Sequence, residues 1–173
     1  MPVAALPRIR TFPSRIATAV DAAAILACQR AALDTLAAGP YAGTRLREWA
    51  AGLTVEDHLP AIARGGMEIV EDDLGAITAF SEFDAADGHI PSLFVHPDFI
   101  LQGLGSHLLR NIARQAGHHG IPRLTVYASL PAAGFYEKCG FTAEPQRMMH
   151  FSGGIGLPYI PMHLHVEGGG FLL

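Results

Sequence analysis

Residues 93–114 read LFVHPDFILQGLGSHLLRNIAR, and this stretch decides the fold. Its first three residues end an apolar run that stops at Pro97, because proline cannot continue the hydrogen bonding of a central strand. From Leu104 onward the apolar residues recur at helical spacing. The stretch therefore predicts a strand, a glycine-containing turn and a helix N-terminus. Such a helix start offers unpaired N–H groups and a partial positive charge, which together form a cradle for a phosphate.

The turn does not match either of the common glycine-rich phosphate motifs. Gly103 and Gly105 lack a third glycine at the spacing of a Rossmann fingerprint, and no Gly-Lys-Ser/Thr follows as in a Walker loop. Taken alone, the turn is equally well explained as a flexible junction between a loop and a helix. The surrounding residues are needed to choose between the two interpretations.

Two blocks of sequence resemble motifs of the GNAT superfamily of N-acetyltransferases. In the first, Val95-His96-Pro97-Asp98 precedes Ile100-Leu101-Gln102-Gly103-Leu104-Gly105, which is similar to the acetyl-CoA-binding motif Q/R-x-x-G-x-G/A. In the second, Ala128-Ser129 precedes Phe135-Tyr136-Glu137-Lys138-Cys139-Gly140-Phe141. The two blocks stand in the family's order, and the resemblance extends from Met67 to Phe141.

Two positions depart from the family's pattern. Ile100 stands where Gln or Arg is usual, and Pro131 stands where the family often places an Asn that contacts the cofactor. Proline is well accommodated in the first turn of a helix, but it has no amide side chain to offer. These departures leave two alternatives to an enzyme, namely a non-catalytic acyl-CoA-binding regulatory module and a structural subunit.

The resemblance implies a mixed α/β (α+β) fold. It predicts a mostly antiparallel sheet of six to seven strands, flanked by helices, with a splayed parallel pair at its centre. Residues 1–173 are then one N-acetyltransferase domain with a loose lead-in over residues 1–13. Acetyl-CoA is the implied co-substrate, and the resemblance assigns its binding to Phe94, Val95, Gln102, Gly103, Leu104, Gly105, Ser106, Phe135 and Tyr136.

Periodicity and turn residues predict the elements along the chain. Helices are expected over residues 21–38 and 41–51, and the capping-box spacing of Thr54 and Asp57 starts a third short helix. Three strands that follow one another from Met67 predict an antiparallel meander, and a helical crossover makes the next strand parallel. The predicted strands cover residues 15–18, 67–71, 76–83, 89–95, 124–128, 147–151 and 159–166.

Tyr136 is the candidate general acid. Its place after Phe135 matches the family's tyrosine, and a phenol with a pKa of about 10 can protonate a departing thiolate. Glu82 lies in an apolar stretch and is the candidate general base, provided that burial raises its pKa towards neutrality. The alternatives are a packing role for Tyr136 beside Phe135 and a solvated strand-end charge at Glu82.

The family's acceptor-binding wall includes the helices between its first two strands. This resemblance makes Tyr41 and Trp49 candidate substrate contacts, and the alternative is that both are packing aromatics. The acceptor is expected to be a primary amine of a small molecule or a peptide. In this family late strands and glycine-rich loops often carry subunit contacts, so the resemblance implies a homodimer through the apolar, glycine-rich segment from Phe151 to His165.

Composition gives the remaining expectations. The formal net charge is −4 without a basic stripe, so a nucleic acid is not an expected partner. No apolar run is long enough to span a membrane, and the first 20 residues lack the apolar core of a signal peptide, which favours a cytoplasmic protein. His163 and His165 share one strand face, but no carboxylate or cysteine cluster accompanies them, and no metal site is predicted.

Overall fold

Eight strands form the sheet within residues 12–166, the part of the chain that the computed structural model describes. The strands are β1 Ser14–Ile16, β2 Met67–Glu71, β3 Ile77–Asp84, β4 His89–Val95, β5 Arg123–Ala128, β6 Thr142–Ala143, β7 Arg147–Phe151 and β8 Ile155–His165. The α-helices in this range are α1 Ala22–Ala38, α2 Leu46–Ala51, α3 Leu59–Ala63, α4 Leu104–His118 and α5 Ala133–Lys138. The strand order is β1-β2-β3-β4-β5-β8-β6, and β7 pairs with β8.

Of these strands, β4 and β5 form the parallel pair, and the other pairings are antiparallel. This arrangement confirms the predicted mixed α/β class with a mostly antiparallel sheet. The two-residue strand β6 was not predicted and brings the described strands to eight. Such a short segment carries no readable alternation of apolar and polar residues, so the sequence does not reveal it.

Local turn chemistry builds the meander of β2, β3 and β4. Between β2 and β3, Asp72 Oδ1 accepts hydrogen bonds from the N–H groups of Leu74 and Ala76, each at 2.9 Å. Gly75 in the same turn has a φ of 80°, a conformation that glycine adopts without strain. After β4 the chain continues into α4 instead, and this helical crossover makes β5 parallel to β4.

Apolar side chains cover both faces of the sheet. On one face α4 buries Leu108, Leu109 and Ile112, as its helical periodicity predicts. On the other face α1 and α3 pack against β2 and β3, around residues such as Ile25 and Phe80. The candidate site lies where these two layers meet the parallel pair.

Among the boundaries that differ from the prediction, two affect the site. The sequence predicts a helix from residue 41, but α2 begins at Leu46, because Gly39, Pro40 and Gly43 (φ 82°) hold the preceding residues in turns. Tyr41 is therefore a buried turn residue and not a helix residue. Strand β8 begins four residues before the predicted strand, because it first pairs with β7 and only then with β5.

The predicted lead-in over residues 1–13 lies outside the described residues, apart from residues 12 and 13. None of the helices between residues 12 and 166 is long and apolar enough to cross a lipid bilayer.

Candidate active site

The parallel pair of strands separates shortly after it forms. The register pairs β4 with β5 at His89 with Thr125 and at Ile90 with Val126, after which the strands diverge. The cause is a β-bulge in β4. Ser92 pairs with Glu82 of β3 and His89 pairs with Asp84, so two residues of β4 lie between these pairs but only one residue of β3. Pro91 lies in this bulge and has no N–H with which to continue the ladder. A gap therefore opens between the carboxyl-terminal ends of β4 and β5.

Main-chain donors face this gap. The His96 N–H donates to the Thr78 carbonyl oxygen on β3 at 2.8 Å, which fixes the direction of the hydrogen bonds at the end of β4. In an antiparallel ladder bonded pairs alternate with non-bonded pairs, so Leu93 and Val95 point their N–H groups away from β3. Both groups face the gap, where they can donate to an oxygen atom of a ligand.

A cavity of about 280 Å³ occupies this gap. The segment from α1 to α2 forms one wall, and the end of β5 with the start of α5 forms the other. Residues from β7 and β8 close the third side. The lining residues are Leu33, Leu36, Tyr41, Leu46, Trp49, His89, Ile90, Pro91, Ser92, Leu93, Phe94, Val126, Tyr127, Ala128, Ser129, Ala132, Tyr136, Met149, Phe151, Leu157, Pro158 and Tyr159.

Tyr136 brings a protonated phenol to this cavity. Its side chain is only 4% exposed, and its ring packs edge-on against Phe135 and Phe141, at centroid distances of 5.0 and 5.3 Å. Burial raises the pKa of the Tyr136 phenol, and the nearby Cys139 raises it further. The group therefore stays protonated over the physiological pH range and is available as a proton donor.

The glycine turn and helix start that were predicted to hold a phosphate lie at the beginning of α4. Gly103 is the N-cap and has a φ of 92°, which places it in the left-handed region. A Cβ atom added at Gly105 would lie 3.3 Å from Phe135 Cζ, so this position leaves no room for a larger side chain. Leu104, Gly105 and Ser106 form the first turn, whose N–H groups have no partner within the helix. With no acidic residue in this turn, it suits an anion.

Residues 62–143 match the family model of the acetyltransferase (GNAT) domain. Over these residues the chain is similar to GNAT acetyltransferases. A solved GCN5-related N-acetyltransferase from Rhodopseudomonas palustris is 29% identical, with a TM-score of 0.79 over 90% of this chain and 96% of that one. The PaiA N-acetyltransferase from Thermoplasma acidophilum, solved in complex with coenzyme A, has a TM-score of 0.71 at 18% identity, over 90% of this chain and 99% of that one.

A curated relative is the uncharacterized N-acetyltransferase ycf52 from Gracilaria tenuistipitata var. liui. It is 34% identical over 68 residues, which are 39% of this chain and 36% of the relative, so the match spans about a third of the relative's length. Together these findings confirm the resemblance to the GNAT superfamily.

Both aromatic residues predicted to contact the acceptor line the cavity. The buried Tyr41 hydroxyl donates to the Pro158 carbonyl oxygen at 2.7 Å and accepts from the Leu130 N–H at 3.0 Å, so only its ring faces the cavity. Burial raises the pKa of Tyr41, and the hydrogen bond from Leu130 opposes the rise. Trp49 is half-buried and packs against Phe151 at a centroid distance of 5.0 Å.

Of the remaining predicted site residues, some line the cavity and others lie outside it. Phe94 lines the cavity and stacks on Phe80 at 5.5 Å, whereas the Val95 side chain packs on the α4 side of the sheet. Gln102 is exposed beside the cradle. Glu82 lies outside the cavity lining, where its carboxylate forms an ion pair with Arg64.

Two features of the site were not predicted from the sequence. His89 begins β4 and lines the cavity, and its Nδ1 atom lies 2.9 Å from the Thr125 hydroxyl oxygen. The unpaired N–H of Leu93 was also missed. Pro91 is the available sequence signal for both, because a proline inside a predicted central strand indicates a break in the ladder.

Proposed function

We propose that the protein transfers an acetyl group from acetyl-CoA to a primary amine. One arrangement carries the proposal: a gap with unpaired N–H groups and a buried phenol share one cavity, and the helix start suited to a phosphate packs against Leu93 at the edge of that cavity. A structural neighbour of the same fold is solved with coenzyme A, which supports this choice of donor.

The residues present fit such a donor. The cradle at Gly103 and Gly105 accepts a pyrophosphate, because the N–H groups of the first turn of α4 have no partner within the helix and neither glycine carries a side chain that could cover them. The gap between β4 and β5 accepts the extended pantetheine arm. The N–H groups of Leu93 and Val95 lie two residues apart on β4, about 7 Å along the strand, so one of them polarises the thioester carbonyl by donating to its oxygen atom and the other is free to hold the pantetheine arm.

The chemistry needs one bond to form and one to break. The amine nitrogen forms a bond to the carbonyl carbon and loses a proton, and the carbon–sulfur bond breaks. Tyr136 supplies a proton to the departing thiolate, which leaves as the free thiol. The products are an acetamide and CoA, so atoms and charge balance.

Two groups are candidates to receive the proton of the attacking amine. Glu82 stays a prediction, and its ion pair with Arg64 outside the cavity lining does not favour it. His89 lies in the lining, and Thr125 orients its ring. This placement favours His89. A large loss of kcat in Glu82→Gln would return the role to Glu82.

A non-catalytic acyl-CoA-binding module is the second candidate function. It is favoured by Ile100, which is 55% exposed at the position where the family's Gln or Arg would contact the donor. The buried proton donor and the open acceptor wall favour the enzyme instead, because a protein that only binds acyl-CoA needs neither. Release of free thiol in the presence of amines separates the two.

Acetyl-CoA binding is tested first by isothermal titration calorimetry. Gly105→Asp adds a negative charge to the first turn of α4, beside the proposed pyrophosphate, so we expect the affinity to fall at least about tenfold, or 1.4 kcal/mol. Gly117→Asp adds the same charge to the same helix at a position where a Cβ atom meets nothing within 4 Å, and it should retain the affinity. Equal affinities in both folded variants would remove the cradle from the site.

A homodimer formed through residues 151–165 also stays a proposal. Light scattering at micromolar concentration should give twice the mass of the chain, and a monomeric mass would contradict it.

A further inference from the structure

The cavity lining carries no formal charge. None of its described side chains is Asp, Glu, Lys or Arg, and its titratable side chains are His89 and four tyrosines. The Tyr41 hydroxyl is already occupied by two backbone groups, as described above. The polar atoms left for an acceptor are the His89 imidazole, the hydroxyls of Tyr127 and Tyr159, and the hydroxyls of Ser92 and Ser129.

Aromatic rings dominate the mouth of the cavity. His89, Tyr127 and Tyr159 form a continuous row, with centroid distances of 4.7 and 4.9 Å between successive rings. Trp49 and Phe151 form a second pair at 5.0 Å. Tyr127 is 52% exposed, so part of this aromatic surface is open to an incoming molecule. Such rings bind planar apolar groups through their faces and edges.

Charged residues near the α1–α2 wall are already paired. Glu48, next to Trp49 in the chain, accepts from Arg45 Nε at 2.7 Å, and Arg45 also donates to the Gly153 carbonyl oxygen at 2.8 Å. Asp34 lies 3.5 Å from Arg47. The arginines therefore offset the charge of these two exposed carboxylates, neither of which lines the cavity.

We infer that the acceptor is a small primary amine on an aromatic or apolar body that carries no second charge. This inference rests on the proposed transferase activity and names its substrate class. A second ammonium group, as in a polyamine, or a carboxylate would lose its hydration in the cavity without an opposite charge in return. The reacting nitrogen needs no carboxylate partner. Aromatic faces attract it while it is an ammonium group, and it reacts as the neutral amine.

A panel of acceptors tests the inference, with free thiol measured at saturating acetyl-CoA. 2-Phenylethylamine and hexylamine represent the proposed class, and spermidine, a lysine peptide and glucosamine represent the polar classes. We expect kcat/KM for 2-phenylethylamine to exceed that for each polar amine by about 100-fold. A preference for any of the polar amines overturns the inference while leaving the transferase proposal intact. Absence of thiol release with every amine overturns both.

Binding without turnover provides a second readout. Trp49 is the sole tryptophan of the chain, so its fluorescence reports directly on the cavity wall. With CoA bound, 2-phenylethylamine should change this fluorescence in a saturable way, and spermidine should not. The reverse response would contradict the inference even if no acceptor were acetylated.

A variant of the aromatic wall completes the test. Trp49→Ala should raise KM for 2-phenylethylamine by about tenfold or more, with the acetyl-CoA dissociation constant unchanged, and Trp49→Phe should restore most of the loss. Met148→Ala is the matched control, because Met148 is 49% exposed and outside the lining. An equal effect of Trp49→Ala and Met148→Ala on KM would overturn the inference.

Discussion

Replacing Tyr136 by phenylalanine removes one oxygen atom and with it the proposed proton donor. Phenylalanine keeps the edge-on packing against Phe135 and Phe141, at 5.0 and 5.3 Å. We therefore expect the free energy of unfolding to change by less than about 1 kcal/mol, and the acetyl-CoA dissociation constant to change no more than a few fold. Because general acids contribute 10²–10⁴-fold, kcat should fall by roughly that factor, which is about 2.7 to 5.5 kcal/mol of transition-state stabilisation.

Tyr41→Phe is the matched control, since it removes the same atom from the other wall of the same cavity. The Tyr41 hydroxyl bridges the Pro158 carbonyl oxygen and the Leu130 N–H, so its removal leaves two backbone groups without this partner. We expect Tyr41→Phe to lower the free energy of unfolding by about 1–3 kcal/mol, unlike Tyr136→Phe. Chemical denaturation of both variants measures this difference.

The assay that isolates acid catalysis varies the leaving group. Single-turnover rates are measured for thioester donors whose leaving thiols differ in acidity. The loss caused by Tyr136→Phe should shrink as the thiol becomes more acidic, because a better leaving group needs less protonation. An equal loss for all donors, or a kcat near that of the wild type when chemistry limits the rate, would refute the assignment and favour the binding-module alternative.

Three further predictions follow from the structure. The Arg15 guanidinium holds the pKa of the Asp21 carboxyl well below its usual range, so the ion pair stabilises the folded protein. This contribution is fully present above the unfolded pKa of about 3.9 and is lost as the pH falls through the folded pKa. The difference in Tm between the wild type and Asp21→Asn should therefore shrink in acid. Gly65 has a φ of 69° and open space around it, so Gly65→Ala should lower the free energy of unfolding in urea by about 1–2 kcal/mol. Gly88→Ala should lower it more, because its Cβ atom would also lie 2.3 Å from a carbonyl oxygen of β5. Equal losses in the two variants would contradict this clash. If His89 receives the amine's proton, His89→Gln should lower kcat by about 10²–10⁴-fold with the acetyl-CoA dissociation constant unchanged, whereas an unchanged kcat would exclude that role.

The elements that the sequence predicted best are those with local signals. Strands β2, β4 and β7 have the predicted bounds, because their apolar patterns end at turn residues. The capping box of Thr54 and Asp57 is also present, with the Thr54 N–H donating to Asp57 Oδ2 at 2.7 Å. The turn before α4 and the start of that helix were likewise predicted from Gly103 and Gly105. In each case the information lies within a few residues.

The acceptor side of the site could not be predicted in this way, because it depends on contacts between distant segments. Tyr41 becomes a buried wall residue only because its hydroxyl meets Pro158, 117 positions further along the chain. The ion pair of Glu82 with Arg64 depends on how α3 packs beside β3, which no periodicity reveals. His89 was overlooked because a lone histidine at a strand start resembles many surface histidines.

The separation of β4 and β5 has a consequence for amide hydrogen exchange. The slowest-exchanging amides of a protein usually lie in its central strands. Here the N–H groups of Leu93 and Val95 lie in the middle of the sheet, yet their partners are to come from a ligand. In the free protein they should exchange rapidly, like edge amides, and saturating acetyl-CoA should slow them selectively. The ligand would then act as the missing strand of this sheet, so that resistance to unfolding rises with its concentration.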